Sequence, residues 1–191
     1  MATPIRWETS LTTAKAKAKK EKKLILMDFY NSLWIGCQQL AAVTYPDSNV
    51  CSSVEKNFIP LQVDFNKNKA LVKRYGIKWT PTIVILDSDG DEHHRFIGFL
   101  SPEDFIGQII LGRGKAEFNL DNFEQAIQCF QEILVGYPKT DAAQEAQYLL
   151  AVSKYKASHD PKELKLGLEV LQRDYPNSEW TKKAQVYALI P

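Results

Sequence analysis

The sequence predicts an α/β domain over residues 1–111, a central mixed sheet flanked by helices, followed by an all-α helical tail over residues 112–191. Three observations lead there. Short apolar and β-branched runs alternate with helical patterns as far as residue 111 and vanish after it. DSDG (87–90) marks a tight turn between the last two runs. In the tail, YPKTDAAQEAQY (137–148) returns as YPNSEWTKKAQVY (175–187), the signature of stacked helical repeats.

Taken in order, Thr9 or Ser10 caps a first helix in which Leu11, Ala14 and Ala18 share one face, and Lys15, Lys17, Lys19, Lys20, Lys22 and Lys23 form a solvated remainder. LILMDFY (24–30) is a continuous apolar run broken only by Asp28, the pattern of a central strand covered on both sides. FIPLQVDF (58–65) and TIVILD (82–87) read likewise. Helical patterns fall between them, from Trp34 towards Tyr45 where Pro46 ends the run, and at about 48–57 and 67–75. Gly90, free to take positive φ, turns the chain into HHRFIG (93–98), so the last two strands should form an antiparallel hairpin. SPEDF (101–105) restarts a helix with Ser101 as cap, Pro102 in the first turn and Asp104 reaching back.

The tail repeat superposes Tyr137 on Tyr175, Pro138 on Pro176, Thr140 on Ser178, Ala146 on Ala184 and Gln147 on Gln185. In each copy Pro ends one helix, Thr140 or Ser178 caps the next, and Asp141 or Glu179 sits where the helix dipole is positive. Asp121 with Glu124, and Asp160 with Pro161 and Glu163, mark the intervening starts.

Composition excludes several classes. Lys and Arg number 24 against 23 Asp and Glu, a net charge of +1, which offers no global attraction to nucleic acid or an anionic membrane. No apolar run approaches a membrane span, and MATPIRWETS lacks the apolar stretch of a signal peptide. The expected compartment is the cytoplasm, or the periplasm or another extracytoplasmic space if an export signal has been removed. Three scattered cysteines, Cys37, Cys51 and Cys129, do not make a disulfide framework, and at least one thiol must be free or paired to another chain. Cys51 lies 14 residues from Cys37 beyond Pro46, a poor disulfide partner, and Cys129 reads as a small buried apolar residue.

The order helix, strand, helix, strand, helix, strand, strand, helix, together with Ile5 to Trp7, LILMDFY, the Val63–Asp64 pair, YGIKWTPT (75–82), DSDG and Gly98 before LSPEDF, resembles the thioredoxin family in its elongated thioredoxin-like branch. That family opens the helix after its first central strand with CxxC, the second cysteine nine residues beyond a buried acid. Here Asp28 holds the acid's place and Cys37 lies nine residues on, so the motif is degenerate and reads WIGC, with Trp34 where the first thiol belongs. The attacking thiolate is therefore missing. The resemblance implies that Cys37 is the sheltered, resolving thiol, catalytic only if it is redox-active, with an external thiol needed to release any adduct. Asp28 then either assists proton transfer at Cys37 or persists as a buried carboxyl bonded to water or a nearby Lys. It further implies a cis Thr80–Pro81 bond beside the WIGC segment, and a groove of Trp34, Trp79, Thr80 and Pro81 that binds an extended peptide.

The tail resembles tetratricopeptide repeats, in the variant with YP-S/T motifs between helix pairs. Ala126 takes the small position of a second helix, Phe130 follows four later and Pro138 twelve later, and Gly114 takes the first-helix glycine. The second copy departs, with Leu164 at the small position and HDPKE adding length. Two pairs and a terminal helix fall short of the about three units such arrays need, so the tail should lean on its own domain or on a second subunit as a homo-oligomer.

No metal site is expected: His93 and His94 point to opposite faces of one strand, and the DSDGDE glycine is misplaced for a calcium loop. No cofactor motif stands out. The reading is a redox-impaired thioredoxin-fold protein serving as a protein-binding or chaperone-adaptor module. Its rival is a monothiol thiol-disulfide oxidoreductase using Cys37.

Overall fold

An extended run with apolar side chains on both faces needs cover on both, and LILMDFY finds it inside the sheet, between two neighbouring strands. The computed structural model describes residues 4–191; Met1–Thr3, the opening of the stretch without signal-peptide character, lie outside them. Among the described residues the strands β1 (Leu24–Tyr30), β2 (Phe58–Asp64), β3 (Thr82–Leu86) and β4 (Glu92–Ile97) form a sheet ordered β2-β1-β3-β4. β1 pairs parallel with β2 and antiparallel with β3, and β3–β4 is the expected hairpin.

The central-strand reading of FIPLQVDF needs correction, because β2 is a sheet edge. Its apolar character comes from burial on its faces, and Pro60 is tolerated because an edge strand can spare a ladder donor. The lead segment covers part of this edge: Glu8 N–H donates to Pro60 O at 2.8 Å and Gln62 N–H to Glu8 O at 2.9 Å.

Helices flank the sheet: α1 (Leu11–Glu21), α2 (Ile35–Gln39), α3 (Ser48–Asn57) and α4 (Lys69–Arg74). Ser10 caps α1, accepting from Thr13 N–H. The apolar stripe of α1 packs Ala14 and Ala18 onto Ile25, Met27 and Phe29. Alternation along β1 sends Leu26 and Asp28 to the opposite face. Between α2 and Pro46 the chain makes a π turn, Leu40–Thr44, in which Tyr45 N–H reaches Leu40 O at 2.8 Å. The β3–β4 turn is held by Asp87, whose Oδ1 accepts from the N–H groups of Asp89 and Asp91, and by Gly90 at φ +84°.

Helix α5 (Pro102–Asn119) begins as expected, with Ser101 Oγ donating to Asp104 Oδ2 at 2.6 Å. The chain divides into two compact units between Ile106 and Gly107, inside this helix. The second unit continues through α6 (Phe123–Gly136), α7 (Asp141–Ser158), α8 (Lys162–Asp174), α9 (Glu179–Ala184) and a closing 3₁₀ turn, Gln185–Leu189. Ser178 caps α9 by accepting from Thr181 N–H at 3.0 Å; Thr140 instead donates its hydroxyl to Tyr137 O. Asp121 stands outside α6 at φ +60° and Asn122 takes the cap position. The two YP motifs touch, Tyr175 donating its hydroxyl to Pro138 O at 3.0 Å.

Small residues set the helix spacing. A Cβ on Gly114 would lie 2.4 Å from the Phe130 ring. In the second pair the close approach belongs to Gly167, whose Cβ would fall 2.2 Å from that of Ala151, and not to the Leu164 position.

Candidate functional site

The site is built where β1 ends and α2 begins. Asn31 folds the connection: its Oδ1 accepts from Leu33 N–H at 3.1 Å, its carbonyl from Trp34 N–H at 3.0 Å, and its own N–H donates to Cys37 Sγ at 3.4 Å. Trp34 occupies the N-cap in extended conformation, with no side-chain cap. Cys37, one turn in, is 7% exposed and is a free thiol, as are the buried Cys51 and Cys129. Burial pushes the Cys37 thiol above its ordinary value and the Asp28 charge adds to this, while the Asn31 N–H and Thr80 side chain pull the other way. The fraction of thiolate at neutral pH is correspondingly small.

Asp28 is 1% exposed. Desolvation raises its pKa to about 6, against the Gln62 hydrogen bond and then the neighbouring Tyr45 hydroxyl, which favour the charged form. Its protein partner is Gln62 rather than a Lys: directly opposite in the β1–β2 register, Gln62 donates from Nε2 to Asp28 Oδ2 at 3.2 Å. Tyr45 lies beside the same carboxyl. Burial first, then the Asp28 charge, holds its phenol well above the ordinary value.

The Thr80–Pro81 peptide is cis. Thr82 Oγ donates to Trp79 O at 2.7 Å and Gly98 N–H to Pro81 O at 2.9 Å, which fixes the loop between α4 and β3. A Cβ on Gly36 would sit 3.0 Å from Pro81 Cδ, so the glycine of WIGC lets α2 rest on the proline. Trp34 (48% exposed) and Trp79 (60%) stand out to solvent on these two adjoining segments, with Ile35 and Phe99 also exposed. Thr80 is half-buried and Pro81 buried beneath. Residues 31–45 carry no charge at all.

Sequence reasoning named Asp28, Trp34, Cys37, Trp79, Thr80 and Pro81, and the fold brings their segments together. It passed over Asn31, Gln62 and Tyr45. Asn after a strand is a usable turn signal; nothing local distinguishes Gln62 or Tyr45. Among the described residues no group of three His, Cys, Asp or Glu side chains could hold a metal. His93 instead meets Asp87 Oδ2 at 3.1 Å, and His94 packs against Phe96. No helix is long and apolar enough to cross a membrane, among the described residues.

Comparison with known proteins agrees with this fold. The family profile described as a thioredoxin-like domain matches residues 11–110, and the tetratricopeptide repeat profile residues 109–140. A thiol:disulfide interchange protein DsbD of Neisseria meningitidis serogroup A is 31% identical over 102 residues, 51% of this chain and 17% of that protein. The protein of the same name from Vibrio vulnificus is 30% identical over 111 residues, 55% of this chain and 18% of its own length. The chain thus spans less than a fifth of the length of these relatives. The solution structure of a candidate disulphide isomerase from Bacteroides thetaiotaomicron superposes with a TM-score of 0.53 at 26% identity, over 59% of this chain and 96% of that one. A thioredoxin from Thermus thermophilus gives 0.50 at 24%, over 55% and 83%, a likeness of fold. The chain belongs to the thioredoxin-like family through residues 11–110, and a tetratricopeptide repeat follows that domain at residues 109–140.

Proposed function

We propose that this protein is a thioredoxin-fold binding module that has lost dithiol turnover, acting as a protein-binding or chaperone adaptor. Its two parts are a domain of residues 1–111 and a helical repeat domain of 112–191. The observation that carries the reading is the indole of Trp34 at the helix N-cap, where an attacking thiol would stand, above a thiol only 7% exposed. Disulfide exchange needs an accessible thiolate and a second sulfur to resolve the adduct. Cys37 offers neither. The exposed indoles of Trp34 and Trp79 beside half-buried Thr80, with Pro81 buried beneath, support capture of an extended protein segment, and exposed aromatic side chains in such a patch mark interaction sites. The repeats support a protein partner as well. Free thiols at Cys37, Cys51 and Cys129 favour a reducing compartment such as the cytoplasm.

The rival reading is a monothiol oxidoreductase with an external resolving thiol. It is favoured by the retained buried carboxyl of Asp28 beside Cys37 and by relatives named for thiol-disulfide interchange. Alkylation separates the two. Native protein is treated with iodoacetamide from pH 6 to 9 and the modified cysteines are mapped by mass spectrometry. Resistance of Cys37 until unfolding supports the adaptor; rapid modification well below pH 8 overturns it for the enzyme.

A further inference from the structure

Two buried polar atoms of the first unit, Asp28 Oδ1 and the Tyr45 hydroxyl, complete no regular hydrogen bond, although their side chains lie together. Asp28 is 1% exposed and Tyr45 9%. Burying polar atoms in this state is costly, so an arrangement that keeps two of them adjacent calls for a reason.

The local structure is built to keep Tyr45 there. The π turn of Leu40–Thr44 inserts one extra residue, which rotates Tyr45 by about 100° relative to its place on a regular α-helix. The Tyr45 ring is then clamped by Trp7, centroids 5.0 Å apart, and edge-on by Phe105 at 5.7 Å. Cys51 Sγ donates to Tyr45 O at 3.1 Å, and Thr44 Oγ to Leu100 O at 2.6 Å, pinning the backbone on both sides. The groups around the carboxyl are few: Gln62 from β2, Tyr45 from the π turn, Cys37 from α2 and Ile83 from β3. No lysine, arginine, histidine or second carboxylate acts on Asp28 among the described residues.

We propose that Tyr45 is the positioning residue of the buried acid: its hydroxyl donates to Asp28 Oδ1 when the carboxyl is charged, and through Asp28 it sets the pH range in which the Cys37 thiol responds. Gln62 serves one carboxyl oxygen and Tyr45 the other, so the charged form has a donor for each. The directions agree with this wiring. The Tyr45 contact favours ionised Asp28, and ionised Asp28 disfavours the thiolate of Cys37. The role holds whether the adjoining groove binds a peptide or Cys37 turns over, because it is read at Asp28 itself.

The test is a pH titration of the full chain by ¹³C NMR, following Asp28 Cγ, Tyr45 Cζ and Cys37 Cβ. In the unaltered protein Tyr45 Cζ and Cys37 Cβ should each show a step at the Asp28 midpoint, near pH 6. Tyr45→Phe, which keeps the ring between Trp7 and Phe105, should raise the Asp28 midpoint by at least about half a pH unit, roughly a threefold loss of acidity, and carry the Cys37 step with it. Asp28→Asn should erase both steps. A smaller or opposite movement of the Asp28 midpoint in Tyr45→Phe overturns the proposal. If that variant does not fold, a Tyr45 Cζ signal that stays flat through the Asp28 titration in the unaltered protein overturns it by itself.

Discussion

Replacing Asp28 by Asn should stabilise the protein, and by an amount that grows with pH. The carboxyl keeps its proton to about pH 6 in the folded chain, against an ordinary value of 3.8, because burial penalises its charged form. Folding therefore takes up a proton between these two values, and stability falls as pH rises through the window. Below 3.8 the group is neutral in both states and costs nothing by this route. Above about 6 the full penalty is present. At about 1.4 kcal/mol per pH unit the window amounts to roughly 3 kcal/mol, with no discount for solvent because the side chain is 1% exposed. The substituted amide would keep the shape and an acceptor for Gln62 while carrying no charge. Urea unfolding followed by tryptophan fluorescence, from pH 3.5 to pH 8, should give matching curves at the acid end and an advantage of about 2–3 kcal/mol for the variant at the alkaline end. A difference that is constant with pH, or that grows towards acid, would refute the argument.

Other consequences can be measured directly. Trp34→Cys places a sulfur at the head of α2, and the folded variant should gain insulin disulfide reduction over the parent; no gain would break the equation of WIGC with a dithiol motif. Gly167→Ala forces two Cβ atoms to 2.2 Å, so overpacking of about 1–3 kcal/mol outweighs the helix-propensity gain of up to about 1 kcal/mol. Calorimetry should show a fall of several degrees in Tm, and an unchanged or higher Tm would sink the packing claim. Trp79→Ala should weaken binding of reduced, carboxymethylated insulin B chain, an extended probe without thiols, by about tenfold; equal affinities would remove Trp79 from the binding surface.

Much of this molecule was legible before folding because the signals are local. The alternation of strands and helices, the DSDG turn, the Ser101 cap and the YP repeat each depend on residues within a few positions of one another. The proposed reading of WIGC as a degenerate dithiol motif needs only a count of nine from Asp28 to Cys37. Three things were decided in three dimensions. β2 became an edge because strand order depends on which segments pair, and an edge strand with buried faces is as apolar as a central one. Gly167 took the small-residue role because the register of the packed helices, and not a residue's place in the repeat, determines which atoms collide. Gln62 and Tyr45 reached Asp28 from 34 and 17 residues away, through a parallel register and a π turn that no periodicity announces. Periodicity tells a side chain which face to take; only the packed chain tells it which neighbour it meets there.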